Sequence, residues 1–229
     1  SEPPLAQRSV KVYPTRTIFE LELPGVLGLT LTFLTPMFTD DQLRLSRPVY
    51  YIQHTARSLD GAAHKVQLYF AASAEHTIND ASTPVAWSAW ERPGWHGVQL
   101  GAATQKVLGS KGDFVNLDWG HLHLASPTKA ELYAGSANAS RKAFAATGTV
   151  PATADARQPR ACSDDLPALA TAHDLGSVTA KAVDHTVLLA YDDIASVYYF
   201  GSQYKALWTQ TYTDVQAAIA AAAAEEAAM

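Results

Sequence analysis

The chain has 229 residues, of which 48% are hydrophobic and 17% charged. It therefore has the apolar content to bury a core, and it lacks the charge-rich, apolar-poor signature of disorder. Its net charge is −5 and no cluster of Lys and Arg occurs, which argues against nucleic acid or an anionic membrane surface as partner, since either needs a basic stripe. The single cysteine, Cys162, excludes an internal disulfide and any cysteine-built metal site.

In chain order, the start "SEPPLAQ" has no initiator Met and reads as the start of a mature, cloned or observed fragment. The runs "TRTIFELEL", "LTLTFLT", "YYIQHTARS" and "KVQLYFAAS" are rich in β-branched and aromatic residues, many with period-two alternation, and predict strands. In "LTLTFLT", Leu29, Leu31 and Phe33 point one way while Thr30, Thr32 and Leu34 point the other. Turn signals at Pro24-Gly25, Asp60-Gly61, Pro93-Gly94 and Lys111-Gly112 punctuate the runs. Residues 35–48 read as a polar connection with a helical turn started by Thr39 or Asp40. Spacings near ten residues without a helical period predict an all-β chain, a large antiparallel sandwich rather than βαβ units.

"VAWSAWERPGWHGVQL" carries Trp87, Trp90 and Trp95. Aromatic faces stack on sugar rings, but Trp more often fills a core or a domain interface. In "DWGHLHLA", His121 and His123 share a strand face with Trp119, and His-x-His on a strand is a metal-ligand spacing. A third ligand would have to come from elsewhere, with His173 or Asp174 of "AHDLGS" as candidates; a half-exposed strand face is the simpler reading, and no metal is expected. Asn138-Ala139-Ser140 is a glycosylation sequon in a polar, loop-like stretch, usable in a secreted protein. Residues 136–167 read as a long, partly irregular excursion between strands.

"HTVLLAY" predicts another strand, and Asp192-Asp193 ends it. A glycosidase-type pair needs two carboxyls facing a common bond, whereas neighbours on a strand point to opposite faces. The expected role is to anchor the corner, one carboxylate accepting from backbone N–H groups of the following turn. Tyr191, Asp192 and Asp193, with Trp119, Trp90 and Trp95, are the candidates for ligand or interdomain contact. Ser202-x-x-Lys205 matches the Ser/Lys spacing of some acyl-transfer enzymes but has no companion motif. No phosphate loop or dinucleotide fingerprint is present, and no cofactor is expected.

The end differs in kind. "TDVQAAIAAAAAEEAAM" predicts a helix capped by Thr213 with Asp214 in its first turn. Such a helix needs a partner surface to persist. The expected division is a β-sandwich over 1–208 and the start of a truncated helical domain over 209–229. No stretch reaches the ~18 apolar residues of a bilayer span.

Several long segments occur together and in order: "PTRTIFELELPGVLGLTLTFLTP", "LSRPVYYIQHTARSLDGAAHKVQLYFAASAEHTIND", "DWGHLHLA" and "LLAYDDIASVYYFGSQYKALW". From about Val10 to Trp208 the chain resembles the β-rich domain near the N-terminus of glutaminase A-like proteins of fungi and bacteria. It departs from them at His121 and His123, where tyrosine is more usual. The resemblance implies a large, supersandwich-like β domain ahead of an α/α-toroid similar to six-hairpin glycosidases. It further implies a secreted parent that hydrolyses L-glutamine to glutamate and ammonia, with the toroid of the same chain as partner. It assigns no catalytic residue to this β domain. Two other expectations stay open: an accessory domain of a carbohydrate-active enzyme, in which Trp90→Ala or Trp95→Ala weakens oligosaccharide binding, and a free-standing binding module, in which the last helix folds back on the sandwich.

Overall fold

Period-two runs broken at Pro-Gly and Asp-Gly turns build most of the molecule. The computed structural model describes residues 3–113, 115–127 and 129–226. Its elements are β1 (Ala6–Tyr13), β2 (Arg16–Leu23), β3 (Leu27–Leu34), α1 (Gln42–Leu45), β4 (Val49–Ser58), β5 (His64–Ser73), β6 (Pro84–Arg92), β7 (Trp95–Ala102), β8 (His121–Pro127), β9 (Glu131–Ser136), α2 (Ala137–Thr147), β10 (Arg160–Ala161), β11 (Pro167–Val178), β12 (Val183–Asp192), β13 (Val197–Tyr199), β14 (Ser202–Tyr204) and α3 (Val215–Glu225). Short 3-10 turns cover Ala74–Thr77 and Leu207–Gln210.

The strands form a nine-stranded antiparallel sheet in the order β1-β2-β3-β4-β12-β8-β7-β6-β10, a three-stranded sheet β5-β11-β9, and the separate hairpin β13-β14. The two larger sheets face each other across the main core. Ile52, Val85, Trp87, Val98, Leu100, Leu122, Leu124 and Val187 come from one side, and Ala72, Ala134 and Leu169 from the other. Fully burying one such Leu or Val contributes roughly 1.5–3 kcal/mol. The all-β, sandwich-like expectation stands, as do the predicted strands and the facing of β3: Leu31 packs into the main core and Leu34 toward the opposite face.

That opposite face is covered by α3. Val215, Ala218, Ile219 and Ala222 bury against Val49, Tyr51, Ala125, Leu188 and Ala190, and the Tyr51 hydroxyl donates to the Ala222 carbonyl at 2.9 Å. Polar contacts pin both ends: Arg92 pairs with Asp214 at 2.9 Å, and Arg47 with Glu225 at 2.6 Å. The partner surface that the Ala-rich helix needs is thus the nine-stranded sheet of this same chain. β12, covered on both faces, reads as a continuous apolar run rather than an alternating one for this reason. The cap is Asp214, not Thr213: its carboxylate accepts from Ala217 N at 2.8 Å. Residues 227–229 of the expected helical segment lie outside the described residues.

Two further expectations are corrected. The connection 35–48 holds α1, capped by Asp41 rather than Thr39 or Asp40. The stretch from 136 opens with a regular helix, α2, which Ser136 caps by accepting from Ala139 N and Gly148 ends in a left-handed conformation. Its apolar residues are mostly alanines, so its period is faint. It packs Phe144 against Tyr69 on the outer face of the three-stranded sheet, ring centroids 5.2 Å apart. Asn138 consequently lies in the first turn of a helix, exposed, with its amide donating to Asp165. The irregular part that follows is held down: Trp87 donates from its indole to Asp155 O and from its backbone to Gln158 Oε1. Arg160 pairs with the Asp155 carboxylate at 3.1 Å. Hydrogen bonds from Arg157 hold that carboxyl down to about 2.

Candidate functional site

At the end of β12 the backbone turns sharply, and the turn is made by side chains. Asp192 Oδ1 accepts from Ile194 N at 2.9 Å, and the Asp193 carboxylate accepts from the Ser196 hydroxyl. Ile194 between them holds φ at +61°, a region that β-branched residues avoid. The chain then closes into β13-β14 through Ser196 N to Tyr204 O at 2.8 Å. Each carboxylate is engaged by its own turn rather than aimed at a bond shared with the other.

Trp119 and Tyr191 brace this corner from inside. The Tyr191 hydroxyl donates to Trp119 O at 2.7 Å, and the Trp119 indole donates to Ala195 O at 3.2 Å. Gly120 at φ +92° lies against Tyr191 and Asp192, and a Cβ there would collide with the Asp192 carbonyl. The Gln105 side-chain amide clamps Gly120 at both its N–H and its carbonyl. Burial, then Asp193, Asp118 and Asp192, push the Tyr191 phenol above its ordinary range. Tyr191 therefore acts as a hydrogen-bond donor and not as a base. Four of the sequence candidates, Tyr191, Asp192, Asp193 and Trp119, thus form one structural unit.

Trp90 and Trp95 lie elsewhere. They belong to the hairpin β6-β7, turned at Pro93-Gly94, and pack with the cluster beneath α3. Trp90 covers Gly97, where no Cβ fits, and Trp87 is buried in the main core. Trp90 and Trp95 stay partly exposed, and Trp90 lines a recess with Glu91, His96 and Glu131.

The histidines divide between the faces of the large sheet. His123 is buried on the α3 side, between Trp90 and His121, with ring centroids 6.4 Å from each. Burial holds it down to about 3. His173, on the three-stranded sheet, stacks on His185 of β12 at 3.8 Å, and His54 is the register partner of His185. The expected third ligand is thus separated from His121 and His123 by the sheet itself. Among the described residues no group of three His, Cys, Asp or Glu is placed to hold a metal. Ser202 and Lys205 are exposed on or beside β14, not at a helix start.

A cleft that no single motif reveals opens where β1–β3 reach past the three-stranded sheet. It has a volume of about 740 Å³, with Phe33, Ile52, Phe70 and Leu189 on its floor and Arg16, Glu75, His76 and Arg141 on its rim. A smaller recess of about 300 Å³ shares Tyr50, His76 and Leu189 with it and ends at Tyr191. Of the corner residues found from sequence, Tyr191 lines this smaller recess. The rim residues come from the β1-β2 turn, the 3-10 turn after β5 and α2. Only "AEHT" after a predicted strand is a local signal, and it is a weak one. The mixture of guanidinium, carboxylate, imidazole and aromatic groups suits a small polar ligand with an apolar part.

A family model described as "Domain of unknown function (DUF5127)" matches residues 15–229. The chain is 29% identical over 188 residues to a protein of Aspergillus oryzae named glutaminase A, covering 79% of this chain and 26% of that protein. It thus spans about a quarter of that relative. Among solved structures, similarity extends to a kojibiose phosphorylase described as putative, from the human microbiome. There the TM-score is 0.40 and the identity 8%, over 77% of this chain and 17% of that one. Heparan sulfate lyase HepC from Pedobacter heparinus matches with TM-score 0.35 and 8% identity, over 82% and 21%.

Proposed function

Because the chain belongs to the DUF5127 family, we propose that it is the non-catalytic β domain of a secreted, glutaminase-like hydrolase, with the chemistry carried by a helical domain of the same polypeptide. The observation that carries this reading is the alignment with glutaminase A, which takes in most of this chain and about a quarter of that protein. The corner supports it, since Asp192 and Tyr191 are engaged in holding backbone and Asp193 in holding the Ser196 hydroxyl. In this reading the Tyr191–Asp193 corner and Trp119 shape an interdomain or ligand-facing edge, and Asn138 is open to glycosylation.

The test is ammonia release from glutamine by the polypeptide its gene encodes and by the 229-residue chain, measured side by side. The reading expects release from the first and none from the second. Release by the 229-residue chain would move the chemistry into the cleft, and release by neither would remove glutamine hydrolysis. A free-standing binding module is the second reading, favoured by one observation: α3 folds back onto the sheet of this chain.

A further inference from the structure

We propose that the hairpin β13-β14 is a docking arm, inserting its aromatic tip into an uncharged, apolar groove on the part of the same polypeptide that lies outside this domain. This rests on the reading of the chain as one domain of a longer hydrolase.

The hairpin stands apart from the fold that carries it. Among the described residues its two strands pair only with each other, an arrangement of marginal stability in water. Yet its side chains are large and apolar: Val197, Tyr198, Tyr199 and Tyr204 are 51–63% exposed and Phe200 is 89% exposed. No charged residue occurs from Ile194 to Tyr204. The tip sharpens the point. Phe200 and Gly201 both hold positive φ, +45° and +84°, as a two-residue hairpin turn requires, and the first of these positions suits Asn, Asp or Gly. A phenylalanine there is strained and buries almost nothing within this chain. Tyrosine and phenylalanine in that setting have the composition of an interface centre, and exposed apolar patches of this kind mark contact sites.

The base of the arm is built to aim it. Asp192 and Asp193 fix the corner, Ile194 is held in its left-handed conformation, and Ser196 N ties to Tyr204 O. The apolar surface continues beyond the arm: Leu207 is exposed on the following 3-10 turn, and α1, which packs on that turn, exposes Leu43 and Leu45.

Two arguments select the occupant. About three quarters of the aligned glutaminase A lies outside the matched region, and a tethered surface supplies an effective concentration high enough for a short arm to dock. A second copy receiving the arm in its cleft would form a head-to-tail contact, which propagates into rings or open filaments.

The experiment places a benzophenone-bearing amino acid at position 200 of the gene-encoded polypeptide, mixes isotopically light and heavy protein, irradiates, and maps the adducts by mass spectrometry. The proposal expects adducts within one polypeptide, at residues outside this domain. It also expects that Phe200→Ser with Tyr199→Ser speeds protease cleavage between the domains by about tenfold, while Ser202→Ala does not. Adducts to a second copy, adducts only within residues 15–229, or no adducts at all would overturn it. If ammonia release from glutamine persists in that case, the docking arm falls and the parent reading stands. If the gene encodes nothing beyond this domain, both fall.

Discussion

Asp192 and Asp193 are neighbours whose carboxylates do different jobs, one closing a turn onto Ile194 N and the other holding the Ser196 hydroxyl. Loss of either bond by Asp192→Ala or Asp193→Ala should cost ~1–2 kcal/mol, read as a lower midpoint in urea. Gly120→Ala should cost more, on the order of 3 kcal/mol, because it adds both a strained φ and an overpacked contact at one site. The same denaturation measurement ranks the three. A second residue-scale prediction concerns acid. His54 and His185 are buried and His173 stacks on His185, and burial, then His173 and His54, hold His185 down to about 3. Unfolded, it titrates near 6.5. A group depressed on folding stabilises the fold fully above its unfolded pKa and loses that contribution as pH falls. Stability should therefore drop between about pH 6.5 and pH 3, by about 1.4 kcal/mol per unit of separation. His185→Gln should flatten that part of the profile; an unchanged slope would contradict the assignment.

At the scale of elements, α3 decides how the larger sheet is covered. Ile219 is fully buried beneath it, so Ile219→Ala should cost about 2–4 kcal/mol, again in urea; a cost under about 0.5 kcal/mol would mean that the helix is not docked in solution. Legibility also divides by element. β2, β3, β4, β5 and β12 were readable because their runs are rich in β-branched and aromatic residues or alternate, and the turns after β2 and β4 carry Pro24-Gly25 and Asp60-Gly61. α2 was not, because its apolar face is largely alanine and its cap, Ser136, sits inside a stretch rich in turn formers. The segment from Trp87 to Trp95 is a hairpin whose strands carry tryptophan on both faces, one toward the main core and two beneath α3. The corner at Asp192 was legible since strand ends are local. The cleft was not, because its rim unites side chains from three distant segments.

For the whole molecule, the unequal sheets are the governing feature. Nine strands face three, so the larger sheet reaches past the smaller one beside the β1-β2 turn and leaves the cleft, while α3 occupies the far face of the larger sheet and the aromatic hairpin projects from the end of β12. A body of this form offers surfaces for contact, and its paired carboxylates serve their own turn. The central claim, that hydrolysis happens outside this domain, is tested most directly by labelling the gene-encoded polypeptide with a glutamine-mimicking electrophile and mapping the modified residue by mass spectrometry. The account predicts a single, glutamine-protectable adduct outside residues 15–229. A protectable adduct on Glu75 or His76, at the rim of the cleft, would contradict it.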